Sequence, residues 1–405
     1  MTAVTPDIAA TAARTPTGFG ILLRILAGNW AIGRLTVRLP NGAVHELVGK
    51  KTGPAAILVV KDYAFAKRVL TSGDIGFAEG YMADEWDTPH LAGLLEVLVR
   101  NYEGIERLFD GNPLMQAVHW VRHKLNRNSR EGARKNIHAH YDLGNAFYEA
   151  WLDETMTYSS AVFEKPGEAL ETAQTRKYRK LAEAMDLKAG HRVLEIGCGW
   201  GGFAEYAAKE VGAHVTGITI STEQHAYATR RLAEAGLSDR ADIQMIDYRD
   251  VQGRFDRVAS VEMFEAVGQE YWPTYFAKIH DVLVPGGRAA LQIITMDDDL
   301  FAGYDKRTDF IQKYVFPGGM LPSEAVLKPV IERTGLAWTG IDRFGHSYAD
   351  TLKRWDERFM AAWDQIQKMG FDDRFRRLWR FYLAYCEAGF RADRINVVQL
   401  ALSRS

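Results

Sequence analysis

Cysteine is scarce: Cys198 and Cys386 are the only two in 405 residues. Two cysteines do not build a disulfide framework, and neither sits in a CxxC pair, so a reducing cytoplasm fits. Charge imbalance is missing as well. A net charge of −2 with 25% charged residues argues against a general nucleic-acid binder and against wholesale disorder. No apolar run approaches the ~20 residues that a membrane span needs. The opening stretch, MTAVTPDIAATAARTP, lacks the basic n-region and apolar core of a signal peptide. Internal repeats and low-complexity tracts are also lacking. The chain is long enough for two or three domains, and contact with a membrane is expected only from its surface.

What stands out is Arg192-Val-Leu-Glu-Ile-Gly-Cys-Gly-Trp-Gly-Gly202. Val193, Leu194 and Ile196 read as a buried parallel strand. Gly197, Gly199, Gly201 and Gly202 then turn the chain into a helix near Phe203, letting the backbone approach a ligand closely. NAD enzymes, nucleotide binders and methyltransferases all use such a turn. An NAD site would show an acid about 20 residues on, closing the second strand. Here that strand, His214 to Ile220, ends in Thr219 without one. Glu195, two residues before the first glycine, is placed to meet a cationic amino group, which favours S-adenosylmethionine. Cys198 reads as a small residue in a tight turn.

Strands are expected near 192–197, 213–220, 241–246, 255–261, 288–295, 338–343 and 396–403. Helices are expected near 203–211, 222–235 and 271–283. This alternation predicts an α/β fold, a Rossmann-like doubly wound sheet binding its ligand at the carboxyl ends of the strands. Asp247 and Tyr248 close the third strand, where a carboxylate and a flat ring suit an adenine. Thr219 and Gln224 lie where ribose hydroxyls would be. The fourth strand runs into Glu262 and Glu265 instead of the Asn-Pro-Pro-Tyr pattern of base and amide methyltransferases. An aromatic and basic helical insertion follows between about Asp350 and Phe390.

Ahead of this region, residues 1–16 read as a loose tail and 17–110 as a small α+β domain with its own core. Phe19, Leu22, Leu23, Leu26 and Trp30 form an amphipathic stripe, to be packed on that domain or laid on a membrane. Strands are expected at Leu35–Leu39 and Ala56–Val60, and Ala64–Leu70 suits a short helix or a strand. Residues 111–135 read as a basic linker. Six basic residues and one acid between Arg122 and Lys135 suit solvent, or an anionic bilayer at about 1 kcal/mol per basic residue.

Six ordered motifs carry a family resemblance. They are Tyr141-Asp-Leu-Gly-Asn145, Met156-Thr-Tyr-Ser159, the glycine stretch, Met263-Phe-Glu265, Tyr314-Val-Phe-Pro-Gly-Gly-Met-Leu-Pro-Ser323 and Gly345-His-Ser-Tyr348. Over residues 136–405 the chain resembles the cyclopropane-fatty-acyl-phospholipid synthases and their mycolic acid relatives. The resemblance implies a class I S-adenosylmethionine-dependent methyltransferase domain at 136–405, with a lid at about 297–390. It implies cofactor contacts from Tyr158, Ser159, Glu195, Gly197, Gly199, Gly201, Thr219, Gln224, Asp247 and Tyr248. The implied reaction adds a one-carbon unit to a cis double bond of an unsaturated phospholipid in the cytoplasmic membrane leaflet, giving a cyclopropane. Residues 17–110 would associate with the lipid, and a homodimer would raise avidity for the surface. The base implied is a bound bicarbonate, held here by Glu265, Ile294 and Tyr348. Ser160 stands where the family has cysteine and Gln292 where it has histidine. Both can still donate hydrogen bonds, but the titratable imidazole is lost. These departures leave open a methyl- or methylene-branched product. A soluble small-molecule methyltransferase and a catalytically dead lipid-binding scaffold are the rival readings.

Overall fold

The computed structural model describes residues 16–110, 143–304 and 308–405. The expected tail (save Pro16), the linker with its basic segment Arg122–Lys135, and Tyr141 and Asp142 of the first motif lie outside the described residues.

The first unit opens with the helix Thr17–Asn29, followed by strands β1 (Ile32–Arg38), β2 (Val44–Val48) and β3 (Lys51–Val60). The helix Ala64–Met82 and the short strand β4 (Trp86–Asp87) follow, and the sheet order is β2-β1-β3-β4. Pro40-Asn-Gly42 makes the β1–β2 turn, closed by Gly42 N donating to Leu39 O at 3.0 Å. Phe19, Leu22, Leu23, Leu26 and Trp30 are all buried, so the amphipathic stripe packs on its own unit. The stretch from Ala64 is one long helix kinked at Gly73, where φ is +58°. Sequence reading stopped at Leu70 because glycine interrupts the helical pattern.

The separate core expected for this unit is not what forms. Phe77 and Trp86 pack on Phe381 of the helical insertion at 6.3 and 6.4 Å, and Arg377 Nη2 donates to Trp86 O at 2.8 Å. Glu79 accepts from Lys313 Nζ at 2.7 Å and from Tyr314 OH at 2.5 Å. One hydrophobic cluster runs through both regions.

The main sheet contains β5 (Arg192–Ile196), β6 (His214–Thr219), β7 (Ala241–Met245), β8 (Phe255–Val261), β9 (Leu283–Met296), β10 (Leu336–Arg343) and β11 (Ile395–Arg404). Its order is β10-β11-β9-β8-β5-β6-β7. β7, β6, β5, β8 and β9 are parallel neighbours, and β11 runs antiparallel to β9 and β10. β5 lies mid-sheet with Val193 to Ile196 buried, the apolar run that a parallel strand covered on both faces requires. The expected strands all form, and the helices Thr222–Glu234 and Trp272–Val282 match their patterns. Within the segment 297–390, β10 joins the sheet as the strand expected near 338–343. The helical insertion itself begins at Gly345, with helices Gly345–Ala361, Trp363–Lys368 and Asp373–Arg391. Among the described residues, no helix is long and apolar enough to cross a membrane.

Candidate active site

The parallel strands end on one side, and a cavity of about 740 Å³ opens there. It begins at the glycine turn after β5. Gly197 has φ +80°, and a Cβ there would stand 2.5 Å from Met263 Cγ, so only glycine fits. Gly199 and Gly201 also have positive φ, and Gly197 and Gly199 line the cavity. Glu195 is buried beside them. Ala204 N–H donates to its carboxyl, but Oε2 has no partner, and burial pushes the group well above the usual carboxylate range. A buried carboxyl with one free oxygen at a ligand cavity is suited to a cation.

Thr219, at the end of β6, donates from Oγ1 to Gln224 Oε1 at 3.0 Å. Ser221 caps the next helix and fixes Gln224 in its first turn. Asp247 and Tyr248 follow β7 and both line the cavity. The Asp247 carboxylate is already paired with Arg249, at 2.8 Å to Nε and 2.7 Å to Nη2. It meets a ligand as a largely neutralised group. Tyr158 borders the cavity between Trp151 and Trp355 and shares a 2.8 Å hydrogen bond with Tyr382 OH.

The anion-site residues gather at the end of β8, around Glu262. Ser160 N donates to Glu262 Oε1 at 2.8 Å, Gln292 Nε2 to the same oxygen at 2.7 Å, and Tyr348 OH to Oε2 at 2.6 Å. The Ser160 hydroxyl turns away to Ala161 O. Sheet register explains the meeting: Val261 lies opposite Gln292 on β9, and Gln292 opposite Gln399 on β11. Gln399 Nε2 donates to Gln292 Oε1 at 3.1 Å, which turns the Gln292 amine toward Glu262. Glu262 has φ +48°, a conformation that costs a non-glycine residue about 1–3 kcal/mol. Burial raises its carboxyl above the ordinary value, opposed by Tyr348, Lys177, Gln292 and Ser160.

Glu265 forms the second carboxyl of the site. Its Oε1 accepts from Ile294 N at 2.6 Å, and its Oε2 is buried without a partner. Burial and the neighbouring Glu262 push it up to about 8. Three of the five groups implied for bicarbonate thus donate to a protein carboxylate, and the other two bond to each other. The residues present do not fit a bicarbonate held in that manner.

The chain matches the family model described as mycolic acid cyclopropane synthetase over residues 128–400. The chain belongs to the mycolic acid cyclopropane synthetase family. It is 39% identical to the tuberculostearic acid methyltransferase of Mycobacterium tuberculosis, covering 97% of this chain and 94% of that one. It is 36% identical to the cyclopropane-fatty-acyl-phospholipid synthase of Escherichia coli, covering 87% and 89%. Among solved structures, the cyclopropane synthase MmaA2 from M. tuberculosis matches with a TM-score of 0.63 at 28% identity, over 67% of this chain and 98% of that one. A mycolic acid cyclopropane synthase complexed with SAH matches equally well.

Membership of the synthetase family makes the chain an S-adenosylmethionine-dependent methyltransferase, and its residues fit that cofactor. The glycine turn leaves room for it, Glu195 Oε2 would take its amino group, and Thr219, Gln224, Asp247 and Tyr248 would flank the nucleoside. When bound, it supplies a methyl group on a cationic sulfur.

The sequence reading misses one participant and the central role of another. Glu262 was seen at the strand end, but not as the centre of the hydrogen-bond cluster. Lys177 was not singled out. It is fully buried, donates to Ser159 Oγ at 2.6 Å, and burial pulls it down to about 7. A signal existed: Leu170, Ala173, Gln174, Lys177, Tyr178 and Leu181 share one helical stripe, so two polar residues stand in a core pattern.

Proposed function

We propose that this chain methylates a double-bond carbon in an unsaturated acyl chain of a phospholipid, at the cytoplasmic face of a membrane. The product in this reading is an open methyl- or methylene-branched alkene, not the cyclopropane. The observation that carries the proposal is an apolar cavity with two buried carboxyls, Glu262 and Glu265, at its reacting end. An alkene has no lone pair and no acidic proton, so its methylation leaves a carbocation. The Glu262 carboxylate at that end would stabilise it, and the apolar walls limit the access of water. Both kinds of relative, a cyclopropane-fatty-acyl-phospholipid synthase and a tuberculostearic acid methyltransferase, support a fatty acyl substrate.

The choice of an open product rests on proton removal. Ring closure needs a ready base at the new methyl group. Glu265 holds its proton up to about pH 8. Glu262 has three of its roughly four acceptor sites taken by donors, which stabilise the carboxylate and make it a weaker base. A slower acceptor gives time for a hydride to migrate from the neighbouring carbon, and later proton loss leaves an alkene.

Lipids from cells that express the chain and are fed a cis-monounsaturated acid test this. Proton NMR separates ring methylene from olefinic signals, and mild hydrogenation consumes only the alkene. Branched alkene is expected from the wild type. A ring as sole product overturns the open-product reading. Methylation of a soluble amine or hydroxyl compound, with lipids untouched, overturns the whole proposal.

A further inference from the structure

We infer that Glu262 is a protein-borne replacement for the external anion, serving as counter-charge and proton acceptor for the cation, so that turnover needs no bicarbonate. The inference rests on the alkene-methylation reading and deepens it. Three donors from separate parts of the fold converge on this one carboxylate: a loop amide at Ser160, a β9 side chain at Gln292, and the Tyr348 hydroxyl from the helix Gly345–Ala361. Such a set is what an anion site requires, and here the anion is covalently attached. Glu262 and Tyr348 line the cavity, whereas Ser160 and Gln292 are fully buried behind them. The carboxylate therefore presents to the substrate the face that a bound anion would present.

The two departures from the family pattern make sense together on this basis. Both positions touch Glu262. An amide at 292 donates at every pH, and Gln399 fixes its orientation. The buried Lys177 is another source of positive charge for Glu262 when it is protonated. The backbone gives an independent pointer. Glu262 is held at φ +48°, in a region that side-chain-bearing residues avoid, and such outliers gather at working sites.

The step balances without a co-reactant. The π pair of the alkene forms the new carbon–carbon bond as the methyl–sulfur bond breaks, and the neutral thioether S-adenosylhomocysteine leaves. The adjacent carbon becomes cationic until a hydride migrates to it from its neighbour. A C–H bond beside the cationic carbon then breaks, its electron pair forms the new π bond, and the proton passes to the Glu262 carboxylate. Solvent takes that proton once product has left.

The test uses the full chain, S-adenosylmethionine and vesicles of phospholipid with cis-monounsaturated chains, in carbonate-free buffer with or without added sodium bicarbonate. Wild type is expected to turn over equally in both. Glu262→Gly should lose about 100-fold in rate and regain about tenfold with bicarbonate or formate, while still binding S-adenosylmethionine by calorimetry. Should Glu262→Gly fail to fold, Glu262→Gln is the shape-matched probe, and slow turnover with intact cofactor binding is expected. Bicarbonate-dependent wild-type turnover, or a Glu262→Gln enzyme at full rate, overturns the inference alone. A wild type that modifies no lipid in either buffer overturns the alkene reading, and the inference with it.

Discussion

Tyr348 reaches from the helical insertion to donate its hydroxyl hydrogen to Glu262 Oε2, at the end of β8, across 2.6 Å. The contact joins residues 86 apart in sequence, and Tyr348 also stacks on Phe390 at 4.6 Å. The ring is thus held by packing while its polar end serves the site.

Phenylalanine at 348 should keep the stack and remove only the donor. A hydrogen bond to a charged group is worth about 1.5–3 kcal/mol, so Tyr348→Phe should lower lipid methylation about 10- to 100-fold. Cofactor affinity, measured separately by calorimetry, should not change. Equal losses in both would mean that the ring, not the hydroxyl, matters.

Glu195 makes a prediction about protons. Burial pushes its carboxyl well above the usual carboxylate range, and pairing with the cofactor's amino group favours the ionised form. Binding should therefore release a proton and tighten as pH rises. Calorimetry in two buffers of different ionisation heat reads the release directly. Glu195→Gln should abolish that release and weaken binding about 10- to 100-fold. Unchanged proton release in this variant would remove Glu195 from the cofactor site.

Glu265 links the site to stability. Its folded value of about 8 lies above the ordinary 4.5. Below about pH 4.5 both folded and unfolded chains carry the proton, and the contribution is whole. Between about 4.5 and 8 only the folded chain keeps it, so stability falls with rising pH, and the loss is complete above about 8. Thermal melts of the apo enzyme should show this decline, and Glu265→Gln should flatten it. A variant with the wild-type slope would contradict the assignment.

Much of this was readable from residue patterns. The β5 strand, the glycine turn and Glu195 are contiguous, so their geometry follows from local sequence. The same holds for Thr219 and Gln224, joined by one helix cap. The Glu262 cluster was not readable, because Ser160, Gln292, Tyr348 and Gln399 meet only through sheet register and the packing of the insertion. Asp247 follows the third strand and lines the cavity, yet its pairing with Arg249 depends on a side-chain conformation that sequence does not state. The shared core of the first unit and the insertion was hidden for a similar reason. Phe381 and Phe77 look like ordinary apolar positions until they touch.

The conformation at position 262 has a bearing on descent. Its φ of +48° is one that glycine adopts freely, so the strand end accepts either residue without rebuilding. Glutamate and glycine codons differ by a single nucleotide. If Glu262 carries its own anion, the exchange of a borrowed base for an owned one can begin with a single codon change at position 262, with positions 160 and 292 then adjusted around it.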